Sequence, residues 1–296
     1  MSPAEPRPPA AATRKRKKPH KPTKTLAKNP TNPVSTKAKK KKPPPPSKAD
    51  QSASAAAAGG VLLSAEMPPA RQLEFLLRSF ERAAKMRLSP LELDAYSEGC
   101  MVPLAEGASQ DVEGFGDHVK GAFGSSWKEE LCEGELDGGA VDAGSPALLV
   151  ICSAALRSLE LLRGLKMFTK ECRPIKLFAK HMKVEEQVAL LKTRVNIACG
   201  TPSRLYLETF GVHVLWIKKL IDMEALSLSR VKLVVLDMQR DAKSFTLFTL
   251  PQVSNEFWGT LYKGYLDQKV RGGDTRLCFY GAVSEKDVKK ALPSAE

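Results

Sequence analysis

Beyond Gly144 the chain switches between short runs of β-favouring apolar residues and stretches whose apolar positions fall three to four apart. The runs are "ALLVIC" (147–152), "IKLFA" (175–179), "VNIAC" (195–199), "VKLVVL" (231–236) and "TRLCFY" (275–280). Helical spacing covers 156–170, 184–192 and 203–210. Strands separated by helices of about 8 to 15 residues predict right-handed βαβ units, hence an α/β fold with one parallel sheet and helices on both faces. Function in such sheets gathers at the C-terminal strand ends. Upstream, "ARQLEFLLRSFERAAKMR" predicts an amphipathic helix over 70–87, and Ser89-Pro90 predicts the capped start of another. A further helix is expected over 116–132.

The first 60 residues lack this patterning. They are Pro, Ala, Ser and Lys with almost no large apolar side chain, a composition that buries too little surface to offset ordering entropy. The expected organisation is a disordered Lys/Pro-rich tail over 1–65 and one domain over 66–290, with a helical lead-in (66–145) and a β/α core (146–285). Charge follows the same division. Residues 1–50 hold 15 bases and 2 acids, a net of +13 that equals the charge of the whole 296-residue chain. Residues 51–145 hold 7 bases and 16 acids, while 146–296 hold 24 and 15. A basic core suits a polyanionic partner; a merely soluble surface is the competing reading.

Two dense clusters in the tail, Arg14, Lys15, Arg16, Lys17 and Lys18, then Lys39, Lys40, Lys41 and Lys42, suit a doubled nuclear-import address with nucleolar retention through rRNA. A generic solubilising tail is the alternative. The six cysteines show no CxxC pair and no histidine at ligand spacing, so no metal site is expected, and Cys152, Cys199 and Cys278 sit in apolar runs as small buried hydrophobes. No apolar stretch reaches the roughly 18 residues a membrane span needs, and no signal-peptide core is present. The expectation is a soluble chain without a membrane partner. His118, His181 and His213 lie scattered, and no nucleophile–base pattern marks a catalytic residue.

The strand ends, read in order, resemble those of a DEAD-box helicase first domain with its signatures eroded. "CSAALRSLELLRGL" stands at the PTREL segment, "EEQVALL" precedes "ACGTPSRL" as the family's eQ…L spacing precedes TPGR, and "VVLDMQRD" stands at VLDEAD. "CFYGAV" places Tyr280, Gly281 and Ala282 at the SAT triplet, and "LSPLELDAY" puts Glu92 at the adenine-reading Gln. The departures matter more. No GxxxxGK[ST] occurs; the corresponding stretch offers "VEGFGDHVKGAFGSSW", without the Lys-Ser/Thr pair that grips phosphate and Mg²⁺. Asp237 is followed by Met238 where a catalytic Glu belongs, and no second RecA-like domain follows.

A basic tail, one helicase-like domain stripped of ATPase motifs, and Asp237, Arg240, Asp241 and Lys243 in order make the chain similar to the Cms-one-like family, subunits of the early small-subunit pre-ribosome that contains the U3 small nucleolar RNA. The resemblance implies a single RecA-like sheet, a nucleolar role in ribosome biogenesis, no cofactor, and pre-rRNA or snoRNA ribonucleoprotein and other pre-ribosome subunits as partners. The DEAD-box resemblance of "TPSR" implies that Thr201, Pro202 and Arg204 hold RNA backbone, at what should be the N-terminus of a helix. Thr201 as a helix cap and Arg204 paired with Glu208 is the structural alternative. Arg157, Lys180 and Lys183 fall near the same rim and extend a phosphate track, or are ordinary solvated loop charges. Gln187 supports the 200–204 loop or is an exposed helix residue. Asp237 reads as a structural ion pair with Arg240 or Lys243. The rival functions are a nucleotide-binding protein that uses Asp237 and the glycines of 114–124, and a protein-docking module that never touches RNA.

Overall fold

The computed structural model describes residues 60–134, 142–177, 183–202, 204–207 and 212–292, with side chains of 204–207 and 212–215 left out. In chain order the helical lead-in holds β1 (Gly60–Val61), α1 (Leu63–Glu66), α2 (Pro69–Ala84), α3 (Pro90–Asp94), α4 (Phe115–Phe123) and α5 (Trp127–Leu131). The core holds β2 (Leu148–Ile151), α6 (Ala155–Gly164), β3 (Ile175–Leu177), α7 (Val184–Leu191), β4 (Ile197–Gly200), β5 (Arg204–Leu207), β6 (Val212–Leu215), α8 (Trp216–Asp222) and β7 (Leu233–Asp237). It closes with α9 (Pro251–Glu256), a wide π-helical stretch (Phe257–Leu266), α10 (Asp267–Arg271), β8 (Arg276–Tyr280), β9 (Val283–Ser284) and α11 (Glu285–Ala291).

Five strands form the expected parallel sheet, in the order β3-β4-β2-β7-β8. Its central strands β2 and β7 are apolar at every position except the closing Asp237, because both faces are covered. Alternation sorts them cleanly. Leu149, Ile151, Ala198, Val234, Leu236, Leu277 and Phe279 face one cluster with α2, α8, the π-helical stretch and α11. Leu148, Val150, Cys152, Cys199, Val235, Cys278 and Tyr280 face the other, with α4, α5 and α6. The three cysteines expected to be buried are so. The first face is dominated by rings: Phe248 packs tilted against Trp258 at 4.5 Å, and Phe75 meets Phe279 edge-on at 5.6 Å.

Several local expectations shift. Helix α2 ends at Ala84 because Lys85 turns left-handed at φ 53°. Ser89 caps α3 as expected, and Glu92 closes a capping box by bonding the Ser89 amide, which accounts for Glu92 without adenine recognition. The helix expected over 116–132 is broken at Gly124, whose φ of +60° admits glycine and ends α4. Residues 60–65, assigned to the tail from the sequence, form β1 and enter α1: Val61 pairs with Val283, and Leu63 is fully buried. The larger correction concerns 203–210. A helix is expected there, but Arg204–Leu207 is a strand paired antiparallel with Val212–Leu215, apart from the main sheet. Leu205, Tyr206, Val212 and Val214 are β-favouring, and a partner strand within reach satisfies their backbone groups better than one marginal helical turn.

At the N-terminal end of the sheet a polar network holds the strand starts. Arg230 donates to Ser145 O (2.9 Å), Glu130 Oε2 (2.8 Å), Val195 O (3.1 Å) and Asn196 Oδ1 (2.9 Å). Arg194 donates to the same Asn196 Oδ1 (3.0 Å) and to Glu129 O (3.0 Å), and Asn196 donates to Glu133 O (2.6 Å).

Candidate nucleic-acid interface at the sheet rim

The C-terminal strand ends bring Arg157, Asp237, Thr201 and Gly281 onto one rim, since β2, β4, β7 and β8 run parallel. Asp237 ends β7 with no exposure, and its Oδ1 accepts from Arg157 Nε at 3.2 Å. Its ion pair is therefore with Arg157 from the first turn of α6, a correction to the expected Arg240 or Lys243. Burial dominates the carboxyl and pushes its pKa to about 6; the Arg157 charge offsets only part of this. Asp237 Oδ2 and Arg157 Nη2 are both buried without a hydrogen-bond partner in the described residues. Arg157 also lies 3.5 Å from Glu160 and its side chain is only 11% exposed, so it is held between two carboxylates and is not a free rim cation.

Gln187 is not the exposed helix residue of the second reading. It is 1% exposed, donates to Lys176 O (2.8 Å) and accepts from Trp216 Nε1 (2.7 Å). It thereby clamps α7 to β3 and to the residue that follows the β5–β6 hairpin. Thr201 and Pro202 are buried directly after β4, with the Thr201 amide reaching Leu177 O at 3.3 Å. Arg204 opens β5 opposite Leu215, so the helix N-terminus on which its phosphate role was argued does not exist at that point. Lys183 is exposed at the residue before α7. Lys180 and the tail cations at 14–18 and 39–42 lie outside the described residues.

Met101 bridges Leu277 of β8 in parallel, and the chain then folds over the strand end: Gly281 N donates to Gln110 Oε1 (2.7 Å) and Tyr280 Oη to Asp111 O (2.7 Å). Gly281 has φ +93°, and a Cβ there would lie 3.1 Å from Gln239 N, so the turn needs glycine. The glycine-bearing stretch that the rival nucleotide-binding reading relied on begins a helix, α4, whose Phe115, Val119 and Phe123 are buried. Asp111 Oδ1 accepts from Gly114 N (2.7 Å), so the chain's own carboxylate occupies the start of that helix. Hydrogen bonds from the Ser109 hydroxyl and the Gly114 amide hold the Asp111 carboxyl below the usual range. Met238, directly after Asp237, is fully buried in the aromatic-rich core.

Sequence reasoning missed the Asp111–Gln110 strap and the Gln187 clamp. Two cavities of about 410 Å³ each lie elsewhere, one at the N-terminal starts of β7 and β8 by Lys232 and Arg276, the other between Trp127 and Phe168. Among the described residues no group of His, Cys, Asp and Glu gathers to hold a metal, and no helix is long and apolar enough to cross a membrane.

Residues 131–280 match the family described as "CMS1: U3-containing 90S pre-ribosomal complex subunit". Human protein CMSS1 is 36% identical over 146 residues, 48% of each chain, and protein CMS1 of Chaetomium thermophilum is 42% identical over 105 residues, 35% of this chain and 37% of that one. The chain thus spans about half the length, or less, of the curated relatives it matches. A solved chain of S. cerevisiae Dbp5 bound to Nup159, Gle1, IP6 and ADP covers 75% of this chain and 50% of its own, at 16% identity and a TM-score of 0.33, too low for any residue role to be carried across.

Proposed function

We propose that this chain, which belongs to the CMS1 family of U3-containing 90S pre-ribosomal complex subunits, is a non-catalytic ribosome-biogenesis factor that binds pre-rRNA or ribonucleoprotein in the nucleolus. The family match carries the ribosome-biogenesis part of the reading. Absence of catalysis is supported by three features: the glycine stretch is spent on a packed helix, Asp111 fills that helix start, and Met238 points no acid or base at the rim. The RNA contacts proposed are backbone contacts at Thr201, Pro202, Arg204, Lys180 and Lys183, with the tail supplying nuclear import and non-specific affinity.

A second reading, docking on another pre-ribosome subunit without RNA contact, is favoured by the fate of Arg157 and Gln187, both consumed in internal bonds. RNA crosslinking in cells separates the two: crosslinked peptides from residues 175–207 support RNA contact, and crosslinks confined to the tail support docking. Purified protein is expected to show no RNA-stimulated ATPase; turnover of about 1 s⁻¹ would overturn the non-catalytic reading. Arg204→Ala is expected to lower the salt slope of single-strand binding by about 0.7, with unchanged circular dichroism.

A further inference from the structure

We infer that a second phosphate-contacting surface lies away from the rim, where the C-terminal ends of α2 and α11 meet; this rests on the RNA-binding reading above. Arg82 Nη2 donates to Lys290 O at 2.6 Å, joining the last turns of the two helices. Around that joint Arg82, Lys85, Arg87, Lys286, Lys289 and Lys290 are all exposed. The acids on the same elements do not balance them. Glu81 is buried, paired with Arg78 and bonded by the Leu88 amide; Asp287 is taken up in capping α11 through Ser284; only Glu285, 3.5 Å from Lys289, meets a lysine of the patch. Five of the six cations have no carboxylate partner among the described residues.

A second observation points the same way. The residue closing α2 is left-handed, with φ 53° and ψ 39°, a position that glycine fills without strain. Here it is Lys85, so an exposed cation beside the joint stands where glycine would be unstrained. Clustered exposed cations at a joint of two helix ends, five of them without a carboxylate partner among the described residues, fit the repeated charges of a nucleic-acid phosphate backbone.

The test uses the full chain and an unstructured oligouridine. Lys85→Gly, Arg87→Gln, Lys286→Gln, Lys289→Gln and Lys290→Gln together, leaving Arg82 and its bond in place, are expected to lower the slope of log K against log salt by about 2, as for three lost contacts at about 0.7 each. Lys85→Gly alone is expected to reduce binding while raising the melting temperature, so loss of fold cannot mimic the effect. Acylation footprinting of the parent is expected to show Lys85, Lys286, Lys289 and Lys290 protected by RNA. Unchanged slope and unchanged acylation, with Arg204→Ala still weakening binding, overturn this surface and leave the rim. No binding by the parent at low salt overturns the RNA reading itself. A variant that binds RNA normally but no longer sediments with pre-ribosomes assigns the patch to an acidic protein surface and overturns the inference.

Discussion

The two ends of the parallel sheet hold similar charged groups under different terms. At the N-terminal end, Arg230 has partners at Ser145, Glu130, Val195 and Asn196, and Asn196 is in turn shared with Arg194. At the C-terminal end, Arg157 and Asp237 form one bond of 3.2 Å and each keeps a buried polar atom unmatched. A satisfied network stabilises and fixes the strand starts, whereas a partly satisfied buried pair costs free energy that the rest of the fold must offset. The difference teaches that this domain is anchored from below and that its rim tolerates tension, as sites do when they are shaped by something other than stability.

The largest expected effect breaks the anchored end. Arg230→Met takes the partner from Glu130 and from the Ser145 and Val195 carbonyls, leaving Asn196 to Arg194 alone, and should cost about 3 to 5 kcal/mol in urea unfolding. A loss below about 1 kcal/mol would mean that the network contributes shape without stability.

Asp237 probes the rim. Its folded pKa of about 6 stands above the unfolded value near 4, so its contribution is complete below pH 4 and is lost as pH rises through 6, an amount of up to about 3 kcal/mol. Asp237→Asn, which cannot ionise and still accepts from Arg157, should flatten the stability profile between pH 4 and 7. Parallel profiles for parent and variant would remove the contrast between the two ends.

Gln187→Leu leaves Trp216 Nε1 and Lys176 O buried without partners and should cost about 2 kcal/mol while RNA affinity at fixed temperature stays the same. A variant that is stable but binds RNA less would return Gln187 to the interface. The smallest change is Tyr280→Phe, which frees the strap over β8 by one bond to Asp111 O and should cost about 1 kcal/mol, read as faster amide exchange at 104–114.

Much of the fold is legible in the sequence. "ALLVIC", "VKLVVL" and "TRLCFY" have no polar face, so they demand a sheet covered on both sides, and β2, β7 and β8 stand at its centre and edge as that demand requires. Ser89 followed by Glu92 writes its own capping box, and the sequence contains no GxxxxGK[ST] string. Residues 203–210 show the limit: "SRLYLETF" satisfies a helical spacing over one or two turns, and only the nearness of Val212–Leu215 makes Arg204–Leu207 a strand.

What only the tertiary structure decides is the partner of each charge. Arg157 and Asp237 stand 80 residues apart and Arg230 lies 100 from Glu130. Local pattern sets which faces are apolar, because periodicity is a property of the neighbouring residues. Which cation is consumed by a buried carboxylate and which stays free at Lys85 or Lys290 depends on where separate elements meet, and that is fixed by packing across the whole sheet.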